Sequence, residues 1–121
     1  MSESQISEQH FNMVLVKGVL ASGPRKTALA SGSVVWNYDL TASCADGQRR
    51  SVPIAWVDPS RPHSLDVGDE VVAVGCIRRR FFRAGGATQS RTELLAEVVA
   101  RSGSVRAAKA LVSFRDHLPE R

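Results

Sequence analysis

Residues 76–86 read Cys-Ile-Arg-Arg-Arg-Phe-Phe-Arg-Ala-Gly-Gly, three consecutive guanidiniums set against two rings and closed by two glycines. On a strand, residues two apart share a face, so Arg78, Arg80 and Phe82 project together while Arg79, Phe81 and Arg83 point the other way. Unpartnered arginines cannot be core, because desolvating each would cost several kcal/mol, so this segment is expected to leave the body as an arm. Alternating cation and ring on one face suits a single-stranded polynucleotide: guanidiniums meet phosphates, and each base stacked on a ring contributes about 1–3 kcal/mol. The alternative is a solvated hairpin whose phenylalanines pack on the shoulder of the body. Trp56 offers a further ring, accessible if Val52 and Ile54 do not share its face with the core and buried otherwise. Trp36 and Tyr38 share a face with Val34 and Leu40 and are expected to be core. Arg25 and Lys26 fall in the loop Ser-Gly-Pro-Arg-Lys-Thr-Ala-Leu-Ala-Ser-Gly, where they either join the site or line a solvated turn.

Other chemistries find little support. His10, His63 and His117 are isolated from one another and from any Cys or carboxylate at zinc-ligand spacing. The same Gly-, Lys- and Thr-containing loop lacks the order that cradles phosphate ahead of a helix. Asp66, Asp69 and Glu70 surround Gly68 as a turn would. No nucleophile carries a local signature, so neither an enzyme, a metal nor a cofactor is expected. Cys44 and Cys76, too far apart for a metal or redox pair, are expected to be small packing residues.

The elements that must position the arginines are strands. After a polar leader, residues 1–11, a first strand begins near Asn12, with Gly18 marking a bulge or a close backbone approach. Residues 33–43 alternate as a half-buried strand. An Asp-Gly turn returns the chain as residues 49–57, whose Pro53 argues for an edge or bulged position. Residues 58–69 form a loop. Residues 70–82 and 88–100 are two further strands, with the glycine pair as hairpin tip. From Ser104, a candidate N-cap, the period becomes helical, with Val105, Ala108, Leu111, Val112 and Leu118 as its apolar stripe. Five short strands with hairpin signals and no interleaved helix favour an all-β fold, a five-stranded OB-fold barrel over residues 12–101 with a C-terminal helix in residues 102–121.

In 121 residues there is room for one domain. Sixteen Lys and Arg against twelve Asp and Glu leave a formal charge of +4, which favours a polyanionic partner. No apolar run approaches bilayer length and the N-terminus has no signal-peptide pattern, so the protein is expected in the cytoplasm, associated with the nucleoid, and not in a membrane.

The ordered segments Asn-Met-Val-Leu-Val-Lys-Gly-Val-Leu, Ser-Gly-Ser-Val-Val-Trp-Asn-Tyr-Asp-Leu-Thr-Ala-Ser, Val-Gly-Asp-Glu-Val-Val-Ala-Val-Gly-Cys-Ile-Arg-Arg-Arg-Phe-Phe and Ser-Arg-Thr-Glu-Leu-Leu-Ala-Glu-Val-Val resemble the bacterial single-stranded DNA-binding proteins over residues 12–101. The chain is also similar to a primosomal replication protein of the same fold. The resemblance implies an OB fold that wraps single strands by stacking, as a homodimer or homotetramer, in replication, repair or recombination. It sets Phe82 where the family has a stacking Trp, Arg78 and Arg80 where it has basic residues, and Trp56 where it has a stacking Phe. Arg50 stands at another aromatic position and Cys44 and Ala45 near a second, which implies weaker or more electrostatic binding here. The connection after the third strand is shorter than the family's helical crossover. The family's flexible linker and acidic tip, which recruit replication and repair proteins, have no counterpart, so hub activity is not expected. Two other readings stand beside this one: an OB-fold interaction subunit of a replication or repair complex, and an RNA-binding OB protein.

Overall fold

The computed structural model describes residues 10–59 and 65–119. The expected leader, apart from its last two residues, and the middle of the connection compared with a helical crossover lie outside them. Strands β1 (Val14–Ala28), β2 (Val34–Ser43), β3 (Arg49–Val57), β4 (Glu70–Ala84) and β5 (Ala87–Arg101) precede helix α1 (Val105–Asp116). Their order around the barrel is β1-β2-β3-β5-β4, and β1 closes it by pairing with β4 as well as with β2. All pairings are antiparallel except β3 with β5, which is parallel and spans three pairs, Ile54 opposite Leu94 to Trp56 opposite Ala96. Pro53, lacking an N–H, sits just before that seam.

Closure requires β1 to turn from one neighbour to the other. Gly18 pairs with Val71 of β4, and Val19 pairs with both Glu70 and Thr41. A Cβ at Gly18 would lie 2.5 Å from the Thr41 carbonyl oxygen, so the glycine marks a close approach, as its place in the sequence suggested. The bulges of β1 fall later, between Leu20 and Ser22 and between Ser22 and Arg25. Beyond them β1 continues to Ala28, so Arg25 and Lys26 are paired strand residues, opposite Asn37 and Trp36, and not loop residues as expected.

Alternate residues fill the interior. Tyr38, Leu40, Ile54, Leu94 and Val71 are fully buried, with Leu65 covering one end. Burial pushes the Tyr38 hydroxyl up to about 12. Trp56 belongs to this core, 4% exposed, which corrects the expectation of an accessible ring. Val52, Ile54 and Trp56 occupy alternate positions, so the face that carries Ile54 inward carries Trp56 with it. Cys44 is exposed beside the β2–β3 turn and is no packing residue, while Cys76 is half-buried.

The helix starts as expected: the Ser104 hydroxyl accepts from the Ala107 N–H at 3.1 Å. Its orientation does not match the expected stripe. Ala107 and Ala110 are buried, Ala107 against Val72 and Ala100 on the outside of the barrel, whereas Val105, Leu111, Val112 and Leu118 remain exposed. The outer strip it covers is built from small and β-branched residues, and a face of alanines lets the helix axis approach it closely.

Between Val74 and Gly75 the β4–β5 register shifts by one residue, leaving Glu97 as the extra residue. Here a Cβ on Gly75 would overlap the Leu95 carbonyl oxygen, with the backbone of Ala96 at 2.9 Å. Neither is a flexible side chain that could move aside. Gly75→Ala is therefore expected to destabilise by about 3 kcal/mol, the upper end for overpacking. Urea unfolding followed by far-ultraviolet circular dichroism reads this directly, and an unchanged midpoint would contradict the close approach.

Candidate nucleic-acid interface

Beyond Gly75 the β4–β5 ribbon leaves the barrel. The last β1–β4 pair is Val14 with Gly75 and the first β3–β5 pair is Ile54 with Leu94, so Arg78–Ala84 and Ala87–Thr92 pair only with each other. The arm turns through Gly85 and Gly86, with φ of 58° and 80°, values that glycine adopts without strain. Its root is pinned by Asn12, whose side chain donates to Ile77 O at 2.6 Å and accepts from Ile77 N at 2.9 Å, imitating a strand neighbour.

As the alternation implied, Arg78, Arg80 and Phe82 lie on one face, opposite Glu93, Arg91 and Gln89 of β5. Phe82 is half-buried, with the Arg80 guanidinium 5.3 Å from its ring centroid. Phe81, on the other face, is 66% exposed. The guanidiniums are not unpartnered. Glu93, whose side chain is 1% exposed, accepts on Oε2 from Arg78 Nε at 3.0 Å, Arg78 Nη2 at 2.8 Å and Arg80 Nε at 3.2 Å. Arg91 bridges onward, 3.8 Å from Glu93 Oε1 and 3.7 Å from Asp39 Oδ1. Asp39 Oδ2 accepts from the Ser22 hydroxyl at 2.8 Å and from Arg25 at 3.2 Å.

Four guanidiniums thus share two carboxylates, and the cluster stays cationic. Burial pushes both carboxyls up, but hydrogen bonds outweigh it, from Arg78 and Arg80 onto Glu93 and from Ser22 and Arg25 onto Asp39, so both lie below their ordinary values and are ionised. Among the described residues, Arg79 and Arg83 have no ion-pair carboxylate; Arg83 donates to Gly86 O at 3.0 Å.

The arm does not stand alone. With the end of the β1–β2 hairpin it encloses a cleft of about 200 Å³ over the outer surface of β2 and β3, lined by Thr27, Leu29, Val35, Asn37, Val57, Arg78, Arg80 and Glu93. The floor is apolar, one wall is the hairpin, and the other is the arginine face of the arm.

Of the residues the sequence singled out, Arg25, Arg78, Arg80 and Phe82 come together around this cleft or its ion network. Lys26 points to the opposite face of its hairpin, its ammonium 4.5 Å over the half-buried Trp36 ring. Arg50 lies elsewhere: it is seven residues before Val57 on β3, roughly 23 Å along an extended strand, and pairs bidentately with Asp46 at 3.0 and 3.1 Å. Trp56 is inside the barrel. Glu93, Asp39 and Asn37 were not singled out. A signal for Glu93 existed, because residues equidistant from Gly85–Gly86 must face each other, which sets Glu93 opposite Arg78 and Arg91 opposite Arg80.

Among the described residues, no helix is long and apolar enough to cross a membrane and no group of three or more His, Cys, Asp or Glu could hold a metal ion. No family model and no curated protein matches the chain. Among solved structures it is similar to the N-terminal domain of the PriB protein from Thermoanaerobacter tencongensis, a dimeric structure, with a TM-score of 0.60 and 17% identity over 77% of this chain and 98% of that one. This likeness is to PriB and does not extend to membership of the single-stranded DNA-binding family. Together with the strand order and the flanked β2–β3 face, it establishes the architecture as a five-stranded OB-fold barrel with a C-terminal helix.

Proposed function

We propose that the protein binds single-stranded DNA with little sequence preference, as a non-enzymatic homo-oligomer acting in replication, repair or recombination. The observation that carries this reading is the cleft: the β2–β3 face between the β1–β2 and β4–β5 hairpins is where OB folds take oligonucleotides, and here one wall alternates guanidinium and ring. Arg79 and Arg83 extend the cationic surface along the arm, and Phe81 and Phe82 offer rings on its two faces. Similarity to a dimeric PriB domain supports self-association and a replication setting.

The test is a titration of a labelled thymidine oligomer of about 35 nucleotides, followed by anisotropy, with duplex and RNA of equal length as competitors. Engagement of about four phosphates gives a log–log salt slope near −3, so affinity should fall on the order of fiftyfold between about 50 and 200 mM salt. Phe82→Ala should weaken binding by about 1–3 kcal/mol, the contribution of one stacked base. Unchanged affinity removes Phe82 from the site, and no binding at low salt by the folded protein sinks the reading. Stronger competition by RNA than by DNA would turn it toward an RNA-binding OB protein.

A second reading, an interaction subunit of a replication or repair complex, is favoured by α1, which turns Val105 and Val112 outward, 71% and 47% exposed. It predicts a stable partner in pull-down that Val112→Glu releases, with no oligonucleotide binding.

A further inference from the structure

The cleft contains an acid at a place where a phosphate-binding groove would be better without one. A phosphate close to the Glu93 carboxylate would meet like-charge repulsion that is several-fold stronger at a protein surface than in bulk water. The arginines around it offset that repulsion but are themselves held by it. The strand's phosphates therefore belong on the outer arm, and the cleft is left to a different part of the nucleotide.

Its shape and polar atoms say which part. At about 200 Å³ it is smaller than the roughly 300–1,000 Å³ of pockets that take drug-sized ligands, so it suits one ring system and not a whole nucleotide. Leu29, Val35 and Val57 supply apolar surface for the ring. The polar lining offers the Arg78 and Arg80 guanidiniums as donors beside acceptor oxygens. Three N–H groups converge on Glu93 Oε2, whereas Oε1 is approached by Arg91 Nε at 3.8 Å, beyond hydrogen-bond distance, and that buried Nε has no hydrogen-bond partner. Asn37 Nδ2 donates to Arg25 O at 3.2 Å and to Thr27 Oγ1 at 3.4 Å, which leaves its Oδ1 as the remaining acceptor.

We infer that the cleft receives one nucleobase of the bound strand edge-first and favours guanine there, with Glu93 Oε1, the oxygen not already held by Arg78 and Arg80, accepting from its N1–H and N2–H groups. Guanine carries two adjacent N–H donors on one edge, flanked by O6, which the Arg78 and Arg80 guanidiniums at the cleft can meet. Thymine presents a single N–H between two carbonyls, which would face the carboxylate. Cytosine and adenine each present one exocyclic amine beside an acceptor nitrogen. A ring lacking the donor pair sets a carbonyl oxygen or a ring nitrogen lone pair against Glu93 Oε1 in place of N–H groups, and the mismatch is felt as discrimination. This inference rests on the single-strand reading above and adds one specific position to it.

The experiment compares labelled twelve-nucleotide thymidine oligomers, unsubstituted or with one central dG, dA, dC or deoxyinosine. One good bidentate contact discriminates by about 1–3 kcal/mol, so dG should bind on the order of tenfold more tightly than dT or dA. Inosine, which keeps N1–H and O6 and lacks the N2 amine, should lose most of that gain. Glu93→Gln should abolish the preference, so that in this variant the dG oligomer binds within about twofold of the unsubstituted one. Because that variant could disturb the arm, the inosine comparison uses the unaltered protein. Equal affinity for all four bases overturns the inference and leaves single-strand binding standing; binding to none overturns both.

Discussion

Trp56→Ala is expected to lower the free energy of unfolding by about 3–5 kcal/mol, the range for deleting a buried aromatic side chain, and to leave DNA affinity per folded molecule unchanged. The ring is 4% exposed and packs with Ile54, Leu94 and Ala96 at the parallel β3–β5 seam. That seam has three residue pairs, so a void there removes packing from the narrowest junction of the barrel. Urea unfolding by circular dichroism gives the stability, and anisotropy titration at a temperature where the variant is folded gives the affinity. The opposite pattern, weakened binding with unaltered stability, would mean that the ring meets the ligand, as the resemblance implied. Phe82→Ala is the complementary case: there the loss is expected in binding.

The fold was legible in the sequence because its strands alternate cleanly and its hairpins are punctuated by Asp46-Gly47 and Gly85-Gly86. The shared face of Arg78, Arg80 and Phe82 follows from the two-residue period, and the cap at Ser104 from a hydroxyl residue standing where the period becomes helical. What was not legible depended on tertiary arrangement. Both its place near the end of a strand and the resemblance read Trp56 as an accessible ring, and only the packing shows that Ile54 and Val52, two and four residues away, carry it inward. The helix carries a stripe of larger apolar residues and a face of alanines, and periodicity cannot say which one the barrel covers; the narrow strip around Val72 and Ala100 selects the alanines. The arginine stretch contains no acid in sequence, so it reads as uncompensated charge, yet hairpin register returns Glu93 to Arg78, and the arm lying over the β2–β3 face brings Arg91 to Asp39. Charge counted along the chain overstated the charge in space.

Glu93 is accordingly where stability and recognition meet. Glu93→Ala is expected to cost about 3–5 kcal/mol, as removing one partner of a buried ion pair does, because Arg78, Arg80 and Arg91 would then face one another without their shared acceptor. Glu93→Gln should cost less, since an amide oxygen still accepts from Arg78. The pH dependence has a definite sign. With the folded carboxyl held below its ordinary 4.5 by Arg78 and Arg80 against the opposing effect of burial, its contribution is fully present above about pH 4.5 and is lost as pH falls through the folded value. The unfolding midpoint of the unaltered protein should drop through this acid window, and Glu93→Gln should flatten that drop, leaving a smaller fall from Asp39, whose carboxyl is likewise depressed. If the two proteins lose stability in parallel between about pH 5 and 3, Glu93 is not the group whose ionisation holds the arm together. Adding Arg78→Met to Glu93→Leu should recover part of the loss, since well-packed apolar residues can substitute for a buried ion pair, with Arg80 and Arg91 still lacking their shared acceptor. That double variant removes the acid and one guanidinium of the base-reading edge together: the partly restored arm should still bind a thymidine oligomer through its remaining cations and should no longer prefer guanine, and a preference that survives would place base reading outside the Arg78–Glu93 pair.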